Sequence, residues 1–306
     1  MHGGRKKPPN SLDPYEVRPS LLGMVSLTRI VGCLLLAAAA TSCAPSVQSA
    51  APGAPSPARG GLAGLVQADS VLIVDGASGK ALFSKAATQP RQVASLQKLV
   101  TALVIIQAGN LDKPVTVTAQ DANCPPTNLP NSVGGTYTRR DLLKAMLVLS
   151  ANDAARALAR DNSGSEAAFG AKMTAMARRV GATNSVFKDS AGFTVNGQFS
   201  NAADMAKILK AAYANPLIRQ ANSTKFLNWR QANGKMTQLR NSNRVLHRHP
   251  NCHGGKVGYT AAASHCVALV WEENGRRLYA VALAGKNEMF WLQFAVVIKL
   301  HAHGLL

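Results

Sequence analysis

Residues 93–108 read VASLQKLVTALVIIQA, and Gly109-Asn110 follows them. Apolar residues occupy every face of the helix that this segment predicts, so we expect the helix to lie at the centre of a domain rather than on its surface. Ser95 and Lys98 stand three residues apart near the start of this helix. That spacing puts both side chains on one face, where the amine can reach the hydroxyl.

The start of a buried helix suits this pair to nucleophilic catalysis. Ser95 would lie among backbone N–H groups that have no partner within the helix and can stabilise an acyl oxyanion. The apolar surroundings and the positive end of the helix dipole both favour the neutral amine of Lys98, which is the form that a general base requires. The Ser-x-x-Lys spacing also arises by chance. Taken alone, it fits equally an ordinary helix with an exposed serine and a lysine that reaches to solvent.

Strand and helix patterns on both sides of this segment predict an α+β domain. Residues 70–75 and 80–84 flank the turn sequence Gly76-Ala-Ser-Gly79, which is typical of a β-hairpin. Thr138-Arg-Arg-Asp141 has the spacing of a capping box and precedes an apolar helix. The later predicted elements are a helix at 201–213, strands at 256–260, 265–272 and 277–284, and a last helix at 289–301. Strands at both ends predict a sheet that the two chain termini close.

Two further motifs follow along the chain. Ser150-Ala-Asn152 comes after the second apolar helix, and Lys256-Val-Gly258 opens a predicted strand after Gly254-Gly255. The first motif supplies a hydroxyl that can relay a proton and an amide that can hold a substrate carbonyl. The second supplies a strand-edge cation that can receive a carboxylate. Motifs of this kind in this order are typical of serine β-lactamases and penicillin-binding proteins.

On these motifs, the sequence resembles the D-alanyl-D-alanine carboxypeptidases, the low-molecular-mass penicillin-binding proteins of peptidase family S11. The resemblance covers roughly residues 68–300 and includes segments between the motifs, namely 93–96 VASL, 190–193 SAGF, 199–206 FSNAADMA, 241–244 NSNR and 258–260 GYT. It implies a β-lactamase/transpeptidase-like fold, in which helices flank an antiparallel sheet and a helical subdomain covers the cleft.

The resemblance also implies roles for the motif residues. It makes Ser95 the acylated nucleophile, Lys98 its proton acceptor and Ser150 the relay to the leaving group. The implied substrate-binding residues are Asn152, Lys256, Gly258, Tyr259 and Thr260, and the implied oxyanion donors are the N–H groups of Ser95 and Tyr259. The implied reaction removes the terminal D-alanine from peptidoglycan stem peptides without a cofactor or a metal. β-Lactams would inhibit it covalently.

Three positions depart from the family pattern. Val257 stands where the third motif usually has threonine, Gln97 where a small hydroxyl residue is usual, and His253 where aspartate is usual. Without a hydroxyl at position 257, the substrate carboxylate or a β-lactam loses one charge-assisted hydrogen bond, worth about 1.5–3 kcal/mol. We therefore expect weak or altered activity, or a shifted substrate.

Several alternatives stay open at this point. Val257 motivates a catalytically silent peptidoglycan-binding protein, and a DD-endopeptidase or a β-lactamase is possible on the same fold. A β-lactamase would need a deacylating glutamate, and the sequence predicts Glu166 on a surface helix. The segment HRHPNCH at 247–253 contains His247, His249, Cys252 and His253, whose side chains can bind a metal, although we expect no metal site in this loop.

The residues before position 68 predict export. Residues 1–23 are polar, and we expect translation to start at Met24. The apolar run at residues 30–40 that follows is too short to span a bilayer and is typical of a signal peptide. Ala40-Thr-Ser-Cys43 resembles a lipoprotein processing site, which predicts lipidation of Cys43; cleavage near Ala50 is the alternative. Residues 44–67 predict a flexible tether and residues 68–306 the peptidase domain. We expect an extracytoplasmic protein that is either lipid-anchored or secreted.

Composition narrows the class of protein further. The 306-residue chain is 47% hydrophobic and 16% charged, which excludes wholesale disorder. The net charge of +19 indicates an anionic environment, whereas 5% aromatic residues argue against a base-stacking surface, and we expect no nucleic-acid partner. Apart from the signal and the processing site, the cysteines are Cys124, Cys252 and Cys266, which allow at most one internal disulfide.

Overall fold

The computed structural model describes residues 66–306, and nine β-strands form the sheets of this part of the chain. They are β1 Ala68–Asp75, β2 Ala81–Lys85, β3 Pro114–Thr116, β4 Thr136–Thr138, β5 Phe226–Arg230, β6 Met236–Arg240, β7 Cys252–Thr260, β8 Ser264–Glu273 and β9 Arg276–Gly285. One antiparallel sheet has the order β2-β1-β9-β8-β7, and β3–β4 and β5–β6 are two-stranded sheets. Because β1 pairs with β9, the first and last strands meet inside the sheet, as the sequence predicts.

Nine α-helices accompany these strands within residues 66–306. They are α1 Lys98–Ala108, α2 Ala119–Ala122, α3 Arg139–Leu149, α4 Asn152–Ser163, α5 Glu166–Arg179, α6 Ala202–Ala214, α7 Pro216–Ser223, α8 Arg244–Arg248 and α9 Phe290–Ala302. Helix α1 contacts α3, α4, α5 and α6, and its residues from Lys98 to Ile105 are all buried. The predicted central helix is therefore confirmed. No helix in this range is long and apolar enough to cross a membrane.

Both faces of the five-stranded sheet are buried, which explains why its strands are apolar nearly throughout. Along β1, Leu72 joins the apolar cluster that includes α1, whereas Ile73 joins a second cluster. Along β8, Ala268 and Leu269 divide between the same two clusters. Helix α9 covers the second face, where it packs against β8 and β9. The α+β class predicted from the sequence is confirmed.

Two differences between the predicted and observed starts of elements affect the site. A 3₁₀ helix, Ala94–Gln97, precedes α1, so Ser95 lies in a tight first turn and not in the α-helix itself. Strand β7 begins at Cys252 instead of Lys256, because Gly254 and Gly255 remain within the strand with φ of 119° and 132°. A side chain at Gly255 would overlap the backbone carbonyl of a β8 residue. Gly255 therefore permits a close approach to β8, and Gly254 permits one to the backbone of Asn222 in α7.

Local capping positions the second apolar helix. The Thr138 hydroxyl accepts a hydrogen bond from Asp141 N at 3.0 Å and donates one to the Asp141 carboxylate at 2.8 Å. The predicted cap is present, although the carboxylate binds the hydroxyl rather than a backbone N–H. The predicted signal peptide, Cys43 and nearly all of the tether fall in residues 1–65, outside the described residues.

Candidate active site

Ser95 lies in its 3₁₀ turn between two glycines that come from distant parts of the chain. A side chain at Gly192 would overlap the Ala94 carbonyl, and a Cβ at Gly258 would stand 2.6 Å from Ser95 N. Ala94 itself has a left-handed φ of 48°, which is strained for a residue with a side chain. The backbone before the serine is therefore held by close packing of three chain segments.

The Lys98 amine makes the central contacts of the site. Its Nζ lies 2.9 Å from Ser95 Oγ, 2.7 Å from Asn152 Oδ1 and 2.6 Å from the Ala191 carbonyl oxygen. The side chain is completely buried. This burial lowers the pKa of Lys98 to about 7, although the nearby carboxylate of Asp189 opposes the shift.

These contacts direct the basic electron pair of Lys98 toward Ser95. A neutral amine has two hydrogens and one lone pair, and both Asn152 Oδ1 and the Ala191 carbonyl can only accept hydrogen bonds. They therefore take the two hydrogens, and the lone pair is left for the Ser95 hydroxyl. This geometry would allow proton transfer from Ser95 to Lys98, which is the reach that the spacing of the two residues predicts.

A turn at residues 189–193 holds the Ala191 carbonyl, and the sequence analysis assigned no role to this turn. The Asp189 carboxylate accepts hydrogen bonds from the N–H groups of Ala191 and Gly192, both at 2.6 Å. Gln97, noted above only as a departure from the family, donates its side-chain amide to the Asp189 carbonyl at 2.6 Å. Gln97 therefore joins the 3₁₀ turn of the serine to the turn that orients Lys98.

Glu166 braces the same turn, a contact that its predicted place on a surface helix does not indicate. It is the first residue of α5, and its carboxylate accepts hydrogen bonds from the Ser190 N–H at 2.7 Å and the Ser190 hydroxyl at 2.8 Å. Burial raises the pKa of Glu166. Its helical position was read correctly, but the sequence did not reveal the loop that packs over it.

The second motif lies where α3 ends and α4 begins. Asn152 links the lysine to a neighbouring loop, because its Oδ1 contacts Lys98 and its Nδ2 donates to the Pro125 carbonyl at 2.9 Å. Ser150 is half-buried and has a left-handed φ of 72°. Within residues 66–306 its hydroxyl forms no hydrogen bond with Lys98 or Lys256. Asn152 is thus in place beside Lys98, whereas the Ser150 hydroxyl is hydrogen-bonded to neither lysine and its relay role stays a prediction.

The third motif lies in the second half of β7, which is an edge strand of the sheet. Lys256 is buried, and its Nζ donates to the Val257 carbonyl at 2.9 Å. Burial, together with the charge of Lys98, lowers the pKa of Lys256 well below its usual value. A carboxylate bound here would accept from the remaining donors of this amine and raise its pKa again. The side chain of Val257 packs in part against the apolar cluster on the opposite face of the sheet.

Tyr259 and Thr260 complete β7. The Tyr259 side chain is 61% exposed, and its ring lies 4.6 Å from the ring of His265. The Thr260 hydroxyl accepts a hydrogen bond from Ala263 N at 3.0 Å, so it stabilises the turn to β8. The close approach of Gly258 to Ser95 brings the end of β7 next to the 3₁₀ turn. The two expected oxyanion donors, the N–H groups of Tyr259 and Ser95, would come from these two segments.

Replacing Gly258 by alanine is expected to lower the rate of Ser95 acylation by at least about 100-fold. The new Cβ would stand 2.6 Å from the backbone nitrogen of Ser95, and neither chain segment can yield without moving the nucleophile. Labelling with a fluorescent penicillin measures the rate. Gly79→Ala is the control for backbone strain remote from Ser95, since Gly79 has a left-handed φ of 72° and no atom within 4 Å of the added Cβ. Equal rates for both variants and the unmodified protein would refute the argument.

The cysteines and the histidine-rich segment do not assemble a site. Cys124, Cys252 and Cys266 are free thiols. The His247 ring lies 3.1 Å from a backbone carbonyl oxygen, and the His249 ring packs against Trp271. Within residues 66–306, no three His, Cys, Asp or Glu side chains group in a way that could hold a metal ion. The metal interpretation of residues 247–253 therefore finds no support in their arrangement.

Known proteins share this fold and these segments. A family model described as D-alanyl-D-alanine carboxypeptidase matches residues 57–287. The chain is 30% identical to the D-alanyl-D-alanine carboxypeptidase DacF of Bacillus subtilis over 233 residues, which are 72% of this chain and 58% of the relative. It is 31% identical to the D-alanyl-D-alanine endopeptidase of Escherichia coli over 208 residues, which are 67% of each chain. It therefore spans less than two thirds of the length of the Bacillus relative.

A solved structure of a related protein has the same fold. The crystal structure of a D-alanyl-D-alanine carboxypeptidase from Mycobacterium tuberculosis matches with a TM-score of 0.72 and 29% identity, over 83% of this chain and 95% of that chain. The fold is thus that of the penicillin-binding peptidases, as the resemblance implies. With a family model that matches most of its length, the chain belongs to the D-alanyl-D-alanine carboxypeptidase family of serine peptidases, peptidase family S11.

Proposed function

We propose that this protein is a serine D-Ala-D-Ala carboxypeptidase that removes the terminal D-alanine from peptidoglycan stem peptides. The observation that carries the proposal is the contact of a fully buried Lys98 amine, with its pKa lowered to about 7, and the Ser95 hydroxyl at 2.9 Å. Such an amine is partly neutral at physiological pH and can accept the serine proton. The family relationship supplies the substrate class.

The reaction would proceed through an acyl-enzyme. Ser95 Oγ attacks the carbonyl carbon of the penultimate D-alanine while its proton passes to Lys98. The C–N bond of the tetrahedral intermediate then breaks, and the leaving amine takes a proton relayed through Ser150. Water hydrolyses the resulting ester and restores Ser95. Lys256 would bind the terminal carboxylate, and Asn152 would position the substrate amide.

The setting of this reaction follows from the family as well. Its relatives act on the cell wall, so the protein would work outside the cytoplasm. A lipid on Cys43 would hold it to the membrane, and secretion after cleavage of the signal is the alternative. β-Lactams would acylate Ser95 in place of the stem peptide. Within this scheme neither a metal nor an organic cofactor is required.

Release of D-alanine tests the proposal directly. The full chain is incubated with a stem peptide that ends in D-Ala-D-Ala, with a matched peptide that ends in L-Ala as the control. We expect free D-alanine from the first peptide and no product from the second. A cross-linked muropeptide, assayed in parallel, reports endopeptidase activity. Absence of D-alanine release, with penicillin labelling retained, would contradict the carboxypeptidase proposal and favour a silent binding protein.

The valine of the third motif gives a further prediction. Val257→Thr is expected to raise kcat/KM for the D-Ala-D-Ala peptide about tenfold, because residue 257 is only partly buried on the edge strand β7, where a new hydroxyl can donate a hydrogen bond along the open edge to the carboxylate that Lys256 binds. Partial loss of apolar packing on the far face of the sheet would offset little of this gain. Val257→Ala, which lacks the hydroxyl, is the matched control. An unchanged kcat/KM for the threonine variant would show that the carboxylate does not reach residue 257.

A further inference from the structure

The β5–β6 hairpin presents a surface whose composition the peptidase reaction does not explain. Its inward side chains, Leu227, Trp229 and Leu239, pack into the core. Its outward side chains form three cross-strand pairs, Phe226 with Arg240, Asn228 with Gln238, and Arg230 with Met236. All six are exposed. We refer to this outward face, together with the exposed cations Lys225 and Lys235 that directly precede its two strands, as the hairpin surface.

The charge of the hairpin surface is entirely positive. No Asp or Glu occurs in the sequence between Asp204 and Glu272, whereas lysine and arginine recur throughout this interval. Within residues 66–306, none of the hairpin-surface cations forms an ion pair with a carboxylate. Some cations elsewhere in this range are neutralised, as Arg139 is by Asp161 at 2.6 Å and Arg277 by Glu272 at 2.6 Å, whereas others such as Arg178 and Arg179 are not. The hairpin surface is therefore distinguished by carrying cations without any carboxylate among them.

Two large apolar side chains lie between the cations of the hairpin surface. Phe226 is 50% exposed and Met236 is 54% exposed, and they lie at diagonal corners of the hairpin, each opposite an arginine. The Phe226 ring packs edge-on against His247 of α8, with ring centroids 5.3 Å apart, so it is held in place. Two large apolar side chains thus stand on the outer face of an ordered hairpin, each with about half of its surface exposed to solvent.

We propose that the hairpin surface binds the headgroup region of an anionic phospholipid bilayer. Lysine and arginine would contact lipid phosphates, while Phe226 and Met236 would insert below the headgroups. The alternation of cations with large apolar side chains favours a bilayer over a soluble polyanion, because a polyanion would require only the charges. The proposal is independent of the peptidase reaction, since no residue of the hairpin surface belongs to the catalytic machinery.

Tryptophan fluorescence can report contact at this surface in the full chain. The three native tryptophans, Trp229, Trp271 and Trp291, are buried, so Phe226→Trp adds one exposed reporter. The probe is a vesicle of phosphatidylcholine and phosphatidylglycerol whose acyl chains carry bromine. We expect these vesicles to quench the new tryptophan and brominated phosphatidylcholine vesicles to leave it unquenched. High salt should reduce the quenching, because screening weakens contacts between exposed charges.

Paired variants, built on Phe226→Trp, identify the groups responsible. Arg230→Gln with Arg240→Gln should weaken vesicle binding at least tenfold, whereas Arg178→Gln with Arg179→Gln, two exposed cations of α5, should leave it unchanged. Release of D-alanine should be unaffected in all of them. Equal quenching with both vesicle types, or quenching that survives loss of Arg230 and Arg240, would overturn the proposal. Binding of long-chain polyphosphate without quenching by vesicles would also overturn it, and would assign the surface to a soluble polyanion.

Discussion

Ser95→Ala is expected to lower D-alanine release by at least about 10⁴-fold and to abolish covalent labelling by penicillin. The hydroxyl of Ser95 is the group that Lys98 contacts at 2.9 Å, and alanine leaves no atom that can form the acyl bond. Labelling with a fluorescent penicillin and release of D-alanine measure the two effects separately. Loss of both together would assign one nucleophile to both reactions.

The fold should tolerate this change. Ser95 Oγ makes only a long hydrogen bond of 3.4 Å to the Ala191 carbonyl besides its contact with Lys98, so the melting temperature should shift little. Ser223→Ala removes an exposed serine hydroxyl on α7 and serves as the matched control. Retention of penicillin labelling by the Ser95→Ala variant would contradict the assignment of the nucleophile.

Lys98→Met is expected to lower the rate of acylation by about 10³-fold or more, because it removes the general base while leaving a side chain of similar length. Lys98→Arg should be equally inactive, since a guanidinium stays protonated throughout the accessible pH range. Lys172→Met, on the exposed face of α5, is the control for loss of a lysine. A Lys98→Arg variant with normal activity would exclude proton transfer to this side chain.

The pH dependence of the unmodified enzyme tests the same role. The pKa of Lys98 is lowered to about 7, so the amine is neutral above this pH and protonated below it. Only the neutral form accepts the serine proton, and kcat/KM should therefore fall about tenfold for each pH unit below 7 and level off above it. A profile that stays flat between pH 5 and pH 7 would refute the general-base assignment.

The proximity of the expected nucleophile, Ser95, to the expected base, Lys98, could be predicted from the local sequence. Three-residue spacing on a helical turn brings Ser95 and Lys98 together in almost any tertiary setting, and their distance of 2.9 Å reflects this. The apolar character of residues 99–106 likewise predicted burial of α1, because a helix without a polar face has to be covered on all sides. Apolar segments between turn residues placed the strands of the five-stranded sheet, with the boundary displaced where glycines lay inside β7.

The supporting contacts could not be predicted in this way, because they join residues that are remote in the chain. The Ala191 carbonyl that orients Lys98 is 93 residues away from it, and Gln97 meets Asp189 across 92 residues. Nothing in the local pattern of either segment specifies such a partner. The same reason explains why the sequence does not indicate the contact of Glu166 with Ser190: the helix start at Glu166 has an ordinary sequence, and only tertiary packing brings the loop at Ser190 against it.

The sequence by itself determined the α+β class, the buried central helix and the pairing of Ser95 with Lys98, since each depends on residues that are neighbours along the chain. Only the tertiary structure decided the packing around the turn at Ser95 and the burial of the Lys98 amine. Gly192 and Gly258 come from different segments, and the space that each leaves free for the turn at Ser95 exists only after the sheet and the helices have packed. The lowered pKa of Lys98 has the same origin, because desolvation results from assembly of the whole core around the amine.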